Sequence, residues 1–235
     1  MSSAAPPTFP TQSVDLGDGR TFRFPLYASY ERYAEIVDCS PILIEFETLR
    51  DGRDLVDSTH RAGRLVLRPG GPAKHADITT NVLCGLGNAL REAGCRIRGP
   101  GLRIRTPDGS EFYPDVSVFC EPDAFAPGRT DVLTNPLLVI EVLSPSTSNR
   151  DLGVKLERYL AMPSVREYAL VSTDRYAVQR YVRQDDGWLL QLTIGRDADV
   201  EFASVNVTLP MAEVYRHVQI EEPPPEQVDG SDPMR

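Results

Sequence analysis

Asp115, Glu141 and Lys155 lie far apart in the chain, but they are the residue types that gather a divalent cation beside a phosphodiester. Glu141 closes the apolar run Leu137-Leu138-Val139-Ile140. A carboxylate there costs roughly several kcal/mol unless it is paired or bound to a metal. Asp115 follows Pro114 and opens a second apolar run, Val116-Ser117-Val118-Phe119. On adjacent strands, two such carboxylates at ~4 Å repel by about 4 kcal/mol at an effective dielectric near 20. Mg²⁺ (or Mn²⁺) removes that penalty. Mg²⁺ takes one or two carboxylates and completes its shell with waters and substrate phosphate. The carbonyl of Val142 offers a third protein ligand. Such an ion polarises a phosphoryl oxygen and lowers the pKa of a bound water. The Lys155 ammonium then orients that water or steadies the developing negative charge.

Each of these residues also has a plainer role. Glu141 and Lys155 can form a structural ion pair, and Asp115 can cap the turn after Pro114. Lys155 can snorkel from a helix edge. His75, a possible accessory to the site, can simply start a helix or pack. Asp151 suits a helix N-terminus through the macrodipole, and Tyr159 suits a core. Ser144, Ser146 and Thr147 read as turn formers, because no base stands beside them to activate a hydroxyl.

The elements that must position these groups follow from periodicity. Residues 137–140 form a continuous apolar run, as in a central strand covered on both faces. The segment from Ser144 to Asn149 is a turn and helix-start signal, and a helix is expected from about Arg150 or Asp151. Leu152, Leu156, Tyr159 and Leu160 would share its apolar face. A long helix is expected over about 74–93, with Ile78, Val82, Leu83, Leu86 and Leu90 inward and Gly94 as cap. Short strands are expected over 41–46, 64–68 and 116–119, and further strands over 167–172, 175–182 and 188–194. A short helix is expected over 27–36. The order of helices and strands predicts an α/β (α+β) arrangement around a mixed sheet flanked by helices.

Composition narrows the function. The chain has 235 residues, 41% of them hydrophobic, which suffices for a core, and it has no apolar run long enough for a membrane helix. Residues 1–27 are rich in Pro, Ser, Thr and Gly and are expected to be disordered. The same holds for the acidic, Pro-rich residues 219–235, leaving one domain over 28–218. No signal peptide is read at the start. Cys39, Cys84, Cys95 and Cys120 are scattered without CxxC spacing, which argues against a zinc site and a disulfide framework and suggests a reducing cytoplasm.

The net charge of −9 disfavours nucleic acid unless basic residues are segregated. Residues 95–105, CRIRGPGLRIR, supply such a segment. The pattern reads as a hairpin about Gly99-Pro100-Gly101, with Arg96, Arg98, Arg103 and Arg105 outward together. A solvated strand face explains the same pattern equally well.

Pro114-Asp115, Glu141 and Lys155 together resemble the PD-(D/E)XK nuclease signature with a displaced lysine. PDVSVF, LLVIEVLSPSTSNRD…K…RY and SVREYALVSTDR, over residues 62 to 195, resemble the Uma-two family of restriction-endonuclease-like proteins. The resemblance implies a restriction-endonuclease-like core with an N-terminal β/α extension and Mg²⁺-dependent cleavage of DNA. It maps the catalytic set onto Asp115, Glu141 and Lys155, and matches His75 to a histidine at the start of the first core helix. Leu143 stands where the superfamily usually carries its lysine, so the function depends on Lys155. Thr59, His60 and Arg61 stand where many members have a further glutamate, so a third acid is either missing or comes from elsewhere, Glu45 or Glu47. RNA as substrate, a homodimer, and a non-catalytic binding or regulatory module on the same fold are the other readings.

Overall fold

Along the strand Leu138–Val142, Leu138, Ile140 and Val142 bury into one hydrophobic cluster, while Val139 buries into another. Strand side chains alternate between faces, so a single central strand serves two cores. Glu141 shares the face of Val139. The computed structural model describes residues 10–16, 20–40, 43–48, 62–68, 71–144 and 151–220.

The chain begins with β1 (Thr11–Asp15), β2 (Thr21–Pro25), β3 (Tyr27–Ser29), α1 (Tyr30–Cys39), β4 (Ile44–Thr48) and β5 (Ala62–Leu67). The helix α2 (Ala73–Ala89) leads to β6 (Arg96–Arg98), β7 (Arg103–Arg105), β8 (Glu111–Phe112), β9 (Val116–Phe119), β10 (Val132–Leu133) and β11 (Leu138–Val142). A π-helical turn, Asp151–Lys155, runs into α3 (Leu156–Leu160). Then come β12 (Glu167–Val171), β13 (Ala177–Gln184), β14 (Gly187–Ile194), β15 (Asp199–Phe202), β16 (Val207–Pro210) and α4 (Met211–Val214).

One six-stranded sheet has the order β14-β13-β12-β11-β9-β6, and a second has β10-β7-β8-β4-β5-β3. In the first, β11 runs parallel to β12 and antiparallel to β9. That mixture matches the expected α/β (α+β) class. On one face lie α2, the β15–β16 ribbon and α4, with Ile78, Val82 and Leu86 of α2 buried at helical spacing. Gly85 lets α2 approach the ribbon, since a Cβ there would meet the Leu209 side chain at 3.1 Å. The other face carries Phe112, Tyr159, Tyr168 and Leu170.

Four expectations are corrected. First, residues 1–27 are not wholly irregular: β1 and β2 form an antiparallel pair, and Phe24 is buried with Tyr33 and Phe46. Alternation in Thr11–Asp15 and Thr21–Pro25 was masked by the polar composition around it. The tail over 221–235 lies outside the described residues.

Second, CRIRGPGLRIR is not a hairpin. β6 pairs with β9, whereas β7 pairs with β8 and β10, so Gly99-Pro100-Gly101 crosses from one sheet to the other. The four arginines therefore do not face outward together. Arg103 is buried against Glu111 and Asp131, Arg105 meets Glu111, and Arg96 and Arg98 meet Asp123.

Third, Cys95 and Cys120 form a disulfide. The β6–β9 register pairs Arg96 with Phe119, and one step further it sets Cys95 opposite Cys120. Strand pairing brings together cysteines that sequence spacing keeps apart. A disulfide also withdraws the support that unpaired cysteines gave to a reducing compartment. No helix among the described residues is long and apolar enough to cross a membrane.

Fourth, Leu152 is 41% exposed, while Asp151 and Lys155 are buried. The wider π-helical winding shifts the phase of the inward face and turns those two charged groups toward the core.

Candidate active site

The β9–β11 register pairs Val116 with Ile140, so one step further Asp115 stands opposite Glu141. The two acids expected to converge do so. The Val142 N–H donates to Asp115 Oδ2 at 2.7 Å, fixing one carboxylate to the strand that carries the other. Both side chains are buried.

Lys155 arrives from the π-helical turn. Its Nζ lies 3.0 Å from Glu141 Oε1, 3.1 Å from Asp151 Oδ1 and 3.7 Å from Glu45 Oε1. Arg158, one turn on, fastens this helix to the opposite sheet through Asp108 and the Thr48 carbonyl. Of the two acids considered as substitutes for the missing glutamate, Glu45 is the one that reaches Lys155. It also accepts from the Tyr113 N–H at 2.9 Å, which ties β4 to the segment leading into Asp115. The positions of Thr59, His60 and Arg61, and the turn over Ser146 and Thr147, lie outside the described residues.

Asp115 has two further neighbours. Arg68, at the end of β5, pairs with its Oδ1, and His75, in the first turn of α2, lies 3.1 Å from its Oδ2. His75 is thus placed at the site. Sequence reasoning missed Arg68, which looked like a strand terminus, and gave Asp151 to the helix dipole. No local pattern marks either, because both owe their place to non-local packing.

Electrostatics separates the two acids. Burial alone would push Asp115 up, but the His75 hydrogen bond, the Arg68 guanidinium and the Val142 N–H hold it below the usual carboxylate range. Burial pushes Glu141 well above that range. Lys155 opposes the shift, while Asp151 and Asp115 add to it. Lys155 stays protonated across neutral pH, since Glu141, Glu45 and Asp151 outweigh its burial.

Lys155 lies among the carboxylates of Glu141, Glu45 and Asp151, and Arg68 pairs with Asp115. No three His, Cys, Asp or Glu side chains among the described residues form a ready cation cage. Mg²⁺ does not require one, because it keeps waters and takes one or two carboxylates. The hard oxygen donors of Asp115 and Glu141, side by side on neighbouring strands, fit such an ion.

A family model described as "Putative restriction endonuclease", Uma2, matches residues 44–215. The chain belongs to the Uma2 family. An uncharacterized protein of Synechocystis sp. (strain ATCC 27184 / PCC 6803 / Kazusa) is 32% identical to this Uma2 chain over 155 residues, 66% of this chain and 80% of that protein. A second uncharacterized protein of the same organism is 36% identical over 99 residues, 42% of this chain; the match spans about half of that relative's length, 56%. The fold is similar to a crystal structure of "a putative nuclease belonging to DUF820" from Anabaena variabilis ATCC 29413. The TM-score is 0.62 at 17% identity, covering 82% of this chain and 99% of that one. The Uma2 core is thus a restriction-endonuclease-like α+β fold.

Proposed function

We propose that this Uma2 chain is a divalent-cation-dependent endonuclease that hydrolyses DNA phosphodiester bonds. The observation that carries this reading is the buried pair Asp115 and Glu141, opposite each other on neighbouring strands with the Lys155 ammonium 3.0 Å from Glu141. The two carboxylates, with the Val142 carbonyl, would hold Mg²⁺ or Mn²⁺. When bound, that ion would polarise a phosphoryl oxygen and acidify a water. Lys155, held by three carboxylates, orients the attacking water and offsets charge growing on the phosphate. Arg68 and His75 keep Asp115 ionised and fixed. Arg96 and Arg98, partly exposed beside Asp123, are the members of the arginine segment placed to meet a phosphate backbone, whereas Arg103 belongs to the fold.

Incubation of supercoiled plasmid with Mg²⁺ or Mn²⁺ tests this. Nicking or linearisation that disappears in Asp115→Ala and Glu141→Ala is expected, and cleavage surviving both substitutions contradicts it. RNA offered in parallel separates the two nucleic acids.

One observation favours a second reading, a non-catalytic module. Asp115 already has Arg68, His75 and the Val142 N–H, so its charge is satisfied without a cation. That reading is excluded by a calorimetric Mn²⁺ titration that Glu141→Ala abolishes.

A homodimer belongs to the same proposal. The edge strand β14 leaves Leu190, Leu192 and Ile194 more than half exposed on the face of Trp188. A two-fold axis through Gln191 pairs two such edges, with Leu190 opposite Leu192 and Trp188 opposite Ile194. The same register sets Asp186 of one copy against Arg196 of the other. It also brings Asp185 near Asp197 at the margins, where solvent screens the repulsion.

A further inference from the structure

Tyr159 follows Lys155 by four residues, on the same side of the helix, and is fully buried. Its ring packs against Phe112 and Tyr168, with centroids 5.8 and 5.4 Å away. Its hydroxyl has no hydrogen-bond partner among the described residues. Three other buried tyrosines are satisfied: Tyr33 donates to the Ile44 carbonyl, Tyr168 to the Asp151 carbonyl and Tyr215 to the Ser172 carbonyl. An orphaned buried hydroxyl destabilises a fold and is rare unless something supplies its partner.

The Tyr159 hydroxyl is not lost in hydrocarbon. The neighbouring Tyr168 ring reaches the Asp151 carbonyl with its hydroxyl, and Lys155 is one turn back, so Tyr159 lies beside the acid cluster; burial raises its pKa, and Glu141, Glu45 and Asp151 raise it further while Arg68 opposes them. A second atom there is also short of a hydrogen bond. Asp151 Oδ1 lies 3.1 Å from Lys155 Nζ, but too poorly aligned to accept from it. Two buried polar atoms without hydrogen bonds among the described residues therefore stand close to Lys155 in the chain, one of them 3.1 Å from its ammonium.

We propose that the Tyr159 hydroxyl is a positioning group of the cation site, kept for a water of the hydrated ion. The inference rests on the cation site proposed above. The phenol oxygen would accept from that water, whose O–H the ion polarises, and hold it on the Lys155 side of the acid pair. The sequence places Tyr159 on the apolar face of its helix, and its ring does pack there; the role assigned here belongs to the oxygen alone.

The test is Tyr159→Phe in the full chain, which removes one oxygen and leaves the ring in place. Two measurements are compared with wild type: the thermal midpoint without metal, and Mn²⁺ affinity by calorimetry, with Glu141→Ala as control. A midpoint equal to or above wild type is expected, because an unsatisfied hydroxyl has gone. Mn²⁺ affinity is expected to fall roughly five- to twentyfold, the worth of one hydrogen bond to an ion's water. Unchanged Mn²⁺ affinity overturns the inference whatever the midpoint does. Weaker binding together with a lowered midpoint overturns it too, since that reports a structural loss. If Glu141→Ala abolishes Mn²⁺ binding and Tyr159→Phe does not, the cation site stands and only the tyrosine's role fails. A wild-type protein that binds no Mn²⁺ removes both.

Discussion

Asp115 and Glu141 stand opposite each other on antiparallel neighbours, and their surroundings drive their acidities apart. Asp115 is held ionised by Arg68, His75 and the Val142 N–H. Glu141 is held toward the protonated form by burial and by the carboxylates around it. Paired carboxyls separated in this way are a common arrangement where one group must stay charged while the other responds to a ligand.

A pH dependence of cation binding follows. A cation at Glu141 competes with a proton, and burial keeps that carboxyl above its ordinary value. Mn²⁺ affinity should climb as pH rises past the ordinary carboxylate range, approaching about tenfold per unit while Glu141 remains protonated. Calorimetry at several pH values checks this, and a flat profile counts against it. The contributions to stability have opposite signs. Glu141, with its folded pKa raised, contributes stability below its unfolded pKa that is lost as pH rises. Asp115, with its folded pKa lowered, contributes stability above its unfolded pKa that is lost as pH falls.

Lys155 should be essential to the fold as well as to the site. Lys155→Ala would leave Glu141, Glu45 and Asp151 buried without their shared ammonium. Breaking a buried pair from one side costs about 3–5 kcal/mol. Urea unfolding at neutral pH should show a loss of that order, partly recovered by Glu141→Gln in the same chain. A loss below about 1 kcal/mol would mean that the ammonium is more solvated than its burial implies.

The disulfide should matter measurably. Cys95–Cys120 closes a segment with a sequence separation of 25. Closing a loop of this size stabilises by about 3 kcal/mol in the chain-entropy picture. Denaturation with and without a thiol reductant should differ by roughly that amount, as should Cys120→Ser. Identical curves would show that the sulfurs are unbonded in solution.

The exposed edge strand gives an oligomerisation test. Light scattering after gel filtration should show a dimer that Leu190→Lys with Leu192→Lys converts to monomer. A monomeric wild-type protein at micromolar concentration would rule out pairing through β14.

Local signals made much of the site legible. The lone glutamate in an apolar strand, the Pro-Asp before another and a lysine on the following helix all pointed to one place, and β9, β11 and Asp151–Lys155 bring them there. Whatever depended on pairing partners was hidden. CRIRGPGLRIR has the alternation of a hairpin, but alternation says only that each half is a strand. The two halves enter different sheets, which turns four apparently outward arginines into ion-pair partners. The same non-local pairing hid the Cys95–Cys120 bond and the approach of Arg68 to Asp115. Leu152 was misplaced because a π-helical turn breaks the period on which the apolar face was drawn.

The central claim is that one divalent cation sits between the Asp115 and Glu141 carboxylates. Anomalous diffraction from a crystal soaked in Mn²⁺ tests it directly. A single strong peak coordinated by both side chains is expected, absent in Glu141→Ala. Full-strength soaking with no peak there, or a peak at unrelated residues, would contradict it.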